Sequence, residues 1–268
     1  MKNLFSKKTR LFFTAFALLF YTNSNAQQKT KFNVAIFLYP GVELLDFAGP
    51  GEVFASSPGF KVYTVSVDGN EILSQSFVTV KPQYSIANAP ETDIVVLPGG
   101  ATSNINNNSE LLAWVNKIIG NGGNAMSVCT GAGILAKAGL LKDLNVTTHH
   151  GFLETLQQMS PTSKVLEQTR FVDNGNIITT AGVSAGIDGA LHLVARLNGT
   201  DVADATAWYM EYQKWDHSDG KIVYQNPYLE SIQSQTAGKS GGNTSSVLGS
   251  AVPYVGELKD ASQKLLES

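Results

Sequence analysis

Cysteine is almost absent from this sequence: Cys129 is the only one in 268 residues. A single cysteine excludes an internal disulfide, so the fold must be stabilised by a hydrophobic core. Charged residues are also sparse, at 15%, whereas hydrophobic residues make up 43% of the chain. This composition is typical of a globular protein with a sizeable core. The length fits one large α/β domain with additions, or two small domains.

A hydrophobic run preceded by basic residues occurs near the N-terminus, over residues 11–21. The small residues Ser24-Asn25-Ala26 follow it, at the positions that a signal peptidase reads. The run is too short and wrongly flanked for a stable membrane anchor. We therefore predict a signal peptide over residues 1–26, cleaved after Ala26. The mature protein is expected to be secreted or periplasmic, without membrane association.

Basic charge is scarce in the predicted mature chain. Removing residues 1–26 takes away four basic and no acidic residues, which leaves 15 basic against 22 acidic side chains and a formal charge of −7. Nucleic acid and anionic membranes are therefore poor partners. The residues after 212 also lack the basic helix-turn-helix pattern of a DNA-binding domain, so a small molecule is the expected ligand.

Short apolar strands alternate with helical patterns from about residue 32. This alternation predicts an α/β fold: a doubly wound, mainly parallel sheet with helices on both faces, of the flavodoxin-like type. From about residue 213 the periodicity fades, so we predict one domain over residues 32–212 and a partly flexible extension over 213–268. The main predicted strands are residues 34–39, 61–67, 93–97, 124–128 and 146–149.

Local signals suggest where the helices begin and end. The first helix is expected to be interrupted near Gly49-Pro50-Gly51. Ser109 and Asp201 are plausible N-caps of two later helices. Asp188 and His192 lie four residues apart on one predicted helix, where they most simply hydrogen-bond each other.

Cys129 directly follows an apolar run and precedes a helix-forming stretch. A strand that ends in cysteine and turns at once into a helix lifts the sulfur out of the backbone. Helix amides and the positive end of the helix dipole then face the sulfur, which predicts a favoured thiolate. We interpret Cys129 as a nucleophile, and the alternative is an ordinary buried cysteine.

Two further features accompany this cysteine. Gly99 and Gly100 end a predicted strand, and the amides of Gly100 and Thr130 could form an anion-stabilising pair. Asp46 is a lone carboxylate in an apolar stretch, so it is costly unless it is paired. Beside the Cys129 thiol, Asp46 could hydrogen-bond the thiolate or transfer a proton to substrate. The alternatives are a structural role for Asp46, as a helix cap, and a simple tight turn for the glycines.

His149 also falls at the end of a predicted strand. Consecutive histidines on one strand point to opposite faces, so His149-His150 do not predict a shared metal. We expect neither a metal nor a cofactor. His149 is interpreted as a residue of the pocket wall, and a general base is the alternative.

These residues resemble the DJ-1/PfpI superfamily, within the class I glutamine amidotransferase-like fold. The similarity is to the branch that contains isonitrile hydratases and the sensor domains of some AraC-type regulators, and it spans about residues 32–210. The resemblance implies a DJ-1-like fold, a nucleophilic Cys129 with Asp46 as its acidic partner, and a homodimer. It is carried by residues 40–54, 93–100, 127–141, 147–149 and 180–188.

The sequence departs from several members of the superfamily. Thr130 stands where PfpI-type peptidases have histidine, so peptidase activity is not expected, and no H-x-E motif of a glutamine amidotransferase occurs. The resemblance implies a hydratase or lyase of the isonitrile hydratase type. In such an enzyme the Cys129 thiolate attacks an electrophilic carbon, Asp46 manages the proton, and an N-substituted formamide is released. The alternatives are a glyoxalase-like activity on 2-oxoaldehydes and a non-enzymatic secreted module for ligand binding or redox sensing.

Overall fold

A computed structural model describes residues 31–223. The predicted signal peptide and residues 224–268 of the predicted extension lie outside the described residues, so both stay predictions. Within residues 31–223, no helix is long and apolar enough to cross a membrane.

A mainly parallel sheet of eight strands forms the centre of the fold. The strands within residues 31–223 are β1 (Phe32–Phe37), β2 (Phe60–Ser66), β3 (Ile72–Ser74), β4 (Val78–Val80), β5 (Tyr84–Ser85), β6 (Ile94–Leu97), β7 (Asn124–Val128), β8 (Asn145–Val146), β9 (Lys164–Val165), β10 (Phe171–Asp173), β11 (Ile177–Thr180) and β12 (Gly220–Ile222). The order in the main sheet is β12-β10-β11-β7-β6-β1-β2-β5, and β3-β4 and β8-β9 form two separate pairs. Only the β10–β11 hairpin of this sheet is antiparallel. The central strand β6 is buried along its whole length, as is typical of a parallel sheet covered on both faces. The predicted fold class is confirmed.

The helices pack in two groups. They are α1 (Leu44–Ser56), α2 (Ser109–Gly120), α3 (Ala132–Lys137), α4 (Leu153–Met159), α5 (Ala185–Asn198) and α6 (Thr200–Tyr209). Helices α1, α5 and α6 contact one another, and α3 contacts α4. Because β1, β6 and β7 are neighbours in the sheet and parallel, their carboxyl ends meet at one edge. The segments that follow these strands carry the candidate site.

Helix α1 is continuous through Pro50, so the predicted interruption is wrong. Pro50 removes one helical hydrogen bond because it has no amide N–H. Close packing against α5 compensates, since a Cβ atom at Gly49 would lie 3.0 Å from Ile187 Cγ1. Gly49 and Pro50 are both buried, so tertiary packing outweighs the poor local helix propensity.

Strand β8 ends at Val146, so the strand predicted through His149 is wrong. The amide of the next residue, Thr147, donates to Thr179 Oγ1 at 2.9 Å instead of to a strand neighbour. His149 precedes a short 3-10 turn, and its ring centroid lies 4.1 Å from that of His150. The two rings therefore lie side by side, tilted by 36°, rather than pointing to opposite faces.

The two predicted N-caps each lie one or two residues from the observed ones. Asn108, not Ser109, caps α2, and its Oδ1 accepts a hydrogen bond from the Leu111 amide at 2.8 Å. Helix α6 begins directly after Gly199, so Asp201 lies within the first turn. There its negative charge interacts favourably with the positive end of the helix dipole. Asparagine caps as well as serine, and the sequence does not distinguish two adjacent candidates.

The folded domain extends beyond the predicted boundary at residue 212. Strand β12 pairs in parallel with β10, with Lys221 opposite Val172. The Tyr212 hydroxyl donates to Asp188 Oδ1 at 2.9 Å. Strand β12 was not predicted, because a three-residue edge strand leaves little periodicity in the sequence.

Asp188 and His192 do not hydrogen-bond each other as predicted, because each has a partner on another element. Asp188 accepts from Arg170, and His192 Nε2 lies 2.7 Å from Asp173 Oδ2. Arg196 Nη1 lies 2.9 Å from both carboxylate oxygens of Asp173. Since Asp173 is fully buried, this cluster ties the β10–β11 hairpin to α5.

We expect Asp173→Ala to lower the free energy of unfolding by about 3–5 kcal/mol, because it takes a buried carboxylate away from a buried guanidinium. The exposed Asp201→Ala, which makes the same chemical change on α6, should cost less than about 1 kcal/mol. Urea unfolding of both variants measures the difference. Equal losses would contradict a stabilising role for the cluster.

Candidate active site

Cys129 lies at a sharp turn between β7 and the segment that leads into α3. Its φ angle is 57°, a left-handed value that is rare outside glycine and costs about 1–3 kcal/mol. Two hydrogen bonds hold this backbone: the Cys129 amide donates to the Ala181 carbonyl at 3.1 Å, and the Thr148 hydroxyl donates to the Cys129 carbonyl at 2.6 Å. The side chain is 7% exposed. The predicted turn that lifts the sulfur from the strand is therefore present.

The turn at Cys129 also requires a glycine at residue 131. A Cβ atom at Gly131 would overlap the Leu97 carbonyl oxygen at the end of β6. The elbow can therefore pack directly on the neighbouring strand only because residue 131 has no side chain.

Asp46 lies in the first turn of α1 and is completely buried. Its Oδ2 accepts a hydrogen bond from the Gly99 amide at 2.9 Å. The carboxyl group also interacts with the Cys129 thiol and the Val183 amide, and its buried Oδ1 has no hydrogen bond of normal geometry. A Cβ atom at Gly99 would lie 2.8 Å from Asp46 Oδ2 and 2.7 Å from the Thr130 amide, so glycine is required here too.

The ionisation of Asp46 and Cys129 is coupled. Burial raises the pKa of Asp46 to about 7, against the opposing effect of the Gly99 amide. Burial and then the charge of Asp46 raise the pKa of the Cys129 thiol to about 12, although the Thr130 amide opposes this. The prediction of a favoured thiolate is therefore wrong for the resting site, because one amide does not offset burial beside a carboxylate. Between about pH 7 and 12 the pair therefore holds one proton, on the thiol.

Gly100 and Thr130 lie together at the same edge. The Gly100 amide donates to Thr130 Oγ1 at 3.0 Å, and the Thr130 amide faces the Cys129 sulfur. Gly100 has a φ angle of 114°, and a Cβ atom there would lie 2.7 Å from the Glu43 amide nitrogen. The Gly100 amide is thus already engaged, and the anion-stabilising role of this pair stays a prediction.

His149 lies at the rim of this region and is half-buried. A side chain at Gly182 would overlap its ring, and its Nδ1 accepts from the Gly151 amide at 3.1 Å. Burial and the neighbouring His150 lower the pKa of His149, so the ring is neutral at pH 7. Within residues 31–223, no group of three or more potential metal ligands occurs.

Three residues at this site were not predicted. The Tyr39 hydroxyl donates to the Gly99 carbonyl at 2.6 Å and thus helps to fix the turn at Gly99 and Gly100. Val183 has a left-handed φ angle of 53° and brings its amide towards Asp46. Glu43 acts electrostatically on both Asp46 and Cys129. Glu43 could have been identified from the sequence, because it is an acidic residue three positions before Asp46. The backbone conformation of Val183 has no comparable sequence signal.

The fold and this pair define an α/β protein with a cysteine at a strand–helix elbow and a buried acidic partner. Residues 32–196 match the model of the DJ-1/PfpI family. The chain belongs to this family.

Individual relatives agree with this assignment. The chain is 32% identical to isonitrile hydratase of Pseudomonas putida over 180 residues, which cover 67% of this chain and 78% of the relative. It is 27% identical to protein DJ-1alpha of Drosophila melanogaster over 186 residues, 68% of this chain and 84% of the relative. Among solved structures, a ThiJ/PfpI family protein from Pseudomonas syringae superposes with a TM-score of 0.64 at 28% identity, covering 72% of this chain and 80% of the other. Drosophila melanogaster DJ-1beta has the same fold, with a TM-score of 0.62 at 21% identity over 72% of this chain and its own full length.

Asp46→Asn is expected to lower the pKa of the Cys129 thiol below the wild-type value of about 12, because the negative charge beside the sulfur is removed. The ultraviolet absorbance of the thiolate, followed as a function of pH, measures this shift.

Asp143→Asn serves as the matched control. Asp143 is exposed and has a left-handed φ angle of 61°, which asparagine tolerates well. This control should leave the titration of Cys129 unchanged. An unaltered thiol pKa in Asp46→Asn would mean that the two groups do not interact.

Proposed function

We propose that this protein is a cysteine-dependent hydratase of the isonitrile hydratase type, acting on small molecules. The observation that carries the proposal is the buried Asp46 carboxyl group against the Cys129 thiol, at a backbone turn that presents the sulfur. A relative named isonitrile hydratase, 32% identical over 180 residues, supports the choice of reaction. The proposed reaction needs neither a metal nor a cofactor.

The first step joins the sulfur to the terminal carbon of the isonitrile. Asp46 takes the thiol proton as Sγ attacks, and then gives this proton to the same carbon. The product is a covalent thioimidate, R–N=CH–S–Cys129, in which both elements of the S–H bond have added to one carbon. Such an intermediate divides one difficult step into two easier ones.

The second step releases the product. Water adds to the thioimidate carbon while Asp46 accepts a proton from it, and Asp46 passes this proton to the nitrogen. The C–S bond then breaks as the hydroxyl group becomes a carbonyl, its proton returns to the sulfur through Asp46, and the N-substituted formamide R–NH–CHO leaves. The sum is the addition of one water to one isonitrile, without oxidant or reductant.

The coupled proton of the pair predicts the pH dependence. Below about pH 7 both groups are protonated, and Asp46 cannot accept the thiol proton. We therefore expect kcat/KM for an isonitrile to rise with pH through about 7 and then to level off, since the second proton is lost only near 12. A profile that falls across this range would contradict the role of Asp46.

Turnover of an alkyl isonitrile by the purified mature protein tests the function directly. Cys129→Ala should abolish formamide formation, and Asp46→Asn should lower kcat by about 10²-fold or more, as for loss of a general acid–base. The exposed control Asp143→Asn should remain at the wild-type rate. Equal rates for wild type and Cys129→Ala would refute the nucleophile.

The same samples separate the alternatives. Cys129-dependent turnover of methylglyoxal in place of isonitriles would favour a glyoxalase-like enzyme. Rapid and selective oxidation of Cys129 by peroxide, seen by intact mass without turnover of any substrate, would favour redox sensing.

Assembly and export complete the proposal. We expect a homodimer, as the family resemblance implies, and light scattering on the purified protein tests it. We also expect export after removal of residues 1–26, so N-terminal sequencing of the mature protein should begin at Gln27.

A further inference from the structure

The site has a second carboxylate, Glu43, that the proposed reaction does not use. Glu43 is the N-cap residue of α1, in an extended backbone conformation, and it lies three residues before Asp46. The Glu43 amide donates to the Gly99 carbonyl at 2.9 Å. This bond fixes the Glu43 backbone against the same glycine turn that binds Asp46, and the Glu43 side chain is half-buried there.

Gln75 restrains the Glu43 side chain from the tip of the β3–β4 hairpin. Gln75 Nε2 donates to Glu43 Oε2. Gln75 and Ser76 have left-handed φ angles of 43° and 65°, a backbone conformation that persists where surrounding contacts hold it. One such contact is from Ser74 Oγ, which donates to the Val42 carbonyl at 2.7 Å. The hairpin is thus docked on the residues that lead into α1.

The charges around the sulfur are of one sign. Glu43 and Asp46 contribute two carboxyl groups, and Asp46 Oδ1 is buried without a hydrogen bond of normal geometry. The nearest imidazole, His149, is neutral at pH 7 because burial and the adjacent His150 lower its pKa. Among the residues that most affect the ionisation of Asp46 and Cys129, Glu43 acts on both, and none is a lysine or an arginine.

We propose that Glu43 selects substrates by charge: neutral or cationic electrophiles reach Cys129, and anionic ones are excluded. This rests on the proposed function for the nucleophile and narrows its substrate class to uncharged or positively charged small molecules. An anion would lie beside carboxyl groups in partly desolvated surroundings, where like charges repel strongly. A neutral isonitrile meets no such barrier.

Alkylation of Cys129 measures this selectivity without any hydratase assay. Iodoacetamide and iodoacetate are similar in size and reaction, since each forms a C–S bond and releases iodide, but only iodoacetate is negatively charged. For each reagent, the second-order rate constant is measured by intact mass on the full mature protein. The ratio of the neutral to the anionic rate constant is compared with that of 2-mercaptoethanol, a free neutral thiol.

We expect the wild-type ratio to exceed the free-thiol ratio by about tenfold or more, because repulsion in the site is poorly screened. Glu43→Gln should lower the ratio by about fivefold while keeping an oxygen that can accept from Gln75. The control is Glu52→Gln, which makes the same charge change at an exposed position of α1 and should keep the wild-type ratio.

Three results would overturn the proposal. They are a wild-type ratio equal to that of 2-mercaptoethanol, an unchanged ratio in Glu43→Gln, and an equal fall in Glu52→Gln. If isonitriles are turned over but the ratio is that of a free thiol, this proposal fails and the proposed function stands. If iodoacetamide itself does not label Cys129, both fail, since a neutral electrophile then cannot reach the sulfur.

Discussion

The contact between a buried carboxyl group and a buried thiol is the constraint on which the rest of the site depends. A carboxyl group without exposed surface is costly unless its oxygens are bound, and besides the Val183 amide Asp46 has two partners, the Gly99 amide and the Cys129 thiol. Both partners lie at the ends of adjacent parallel strands. The pair can therefore form only when β6, β7 and α1 are packed in register, which links the site to the core of the domain.

This contact also decides the resting state of the sulfur. Cysteines at helix N-termini are commonly held as thiolates, but here burial and the neighbouring carboxylate act in the opposite direction. In the reaction proposed above, Asp46 takes the thiol proton as the sulfur attacks a substrate, so no free thiolate is needed in the resting site. A redox sensor requires an accessible thiolate that meets peroxide at all times. A protonated thiol on a residue that is only 7% exposed suits a proton-coupled reaction better.

The sequence was sufficient for the sheet and for the identity of the central pair. Buried parallel strands are continuous apolar runs, and a cysteine or a glycine pair at the end of such a run is visible without a structure. The details that failed depend on tertiary contacts: the packing of Gly49 and Pro50 on α5, and the side-chain acceptor that ends β8. The predicted direction of the Cys129 pKa shift was wrong for the same reason. The position of a cysteine before a helix can be read from the sequence, whereas its burial beside Asp46 cannot.

The residues proposed for the reaction and the residue proposed for substrate selectivity lie in different parts of the fold. Asp46, Gly99 and Cys129 are fixed by the core, where even a Cβ atom at residue 99 would be too close to its neighbours. Glu43 is half-buried at the edge of that core and is restrained by Gln75 on a surface hairpin that lies outside the main sheet. If Glu43 selects substrates as proposed, a change in this hairpin would alter the charge that a substrate meets and leave the pair of Asp46 and Cys129 intact. Members of a family with one reactive pair can thus differ in substrate, and likeness of the pair alone does not determine which small molecule a given member transforms.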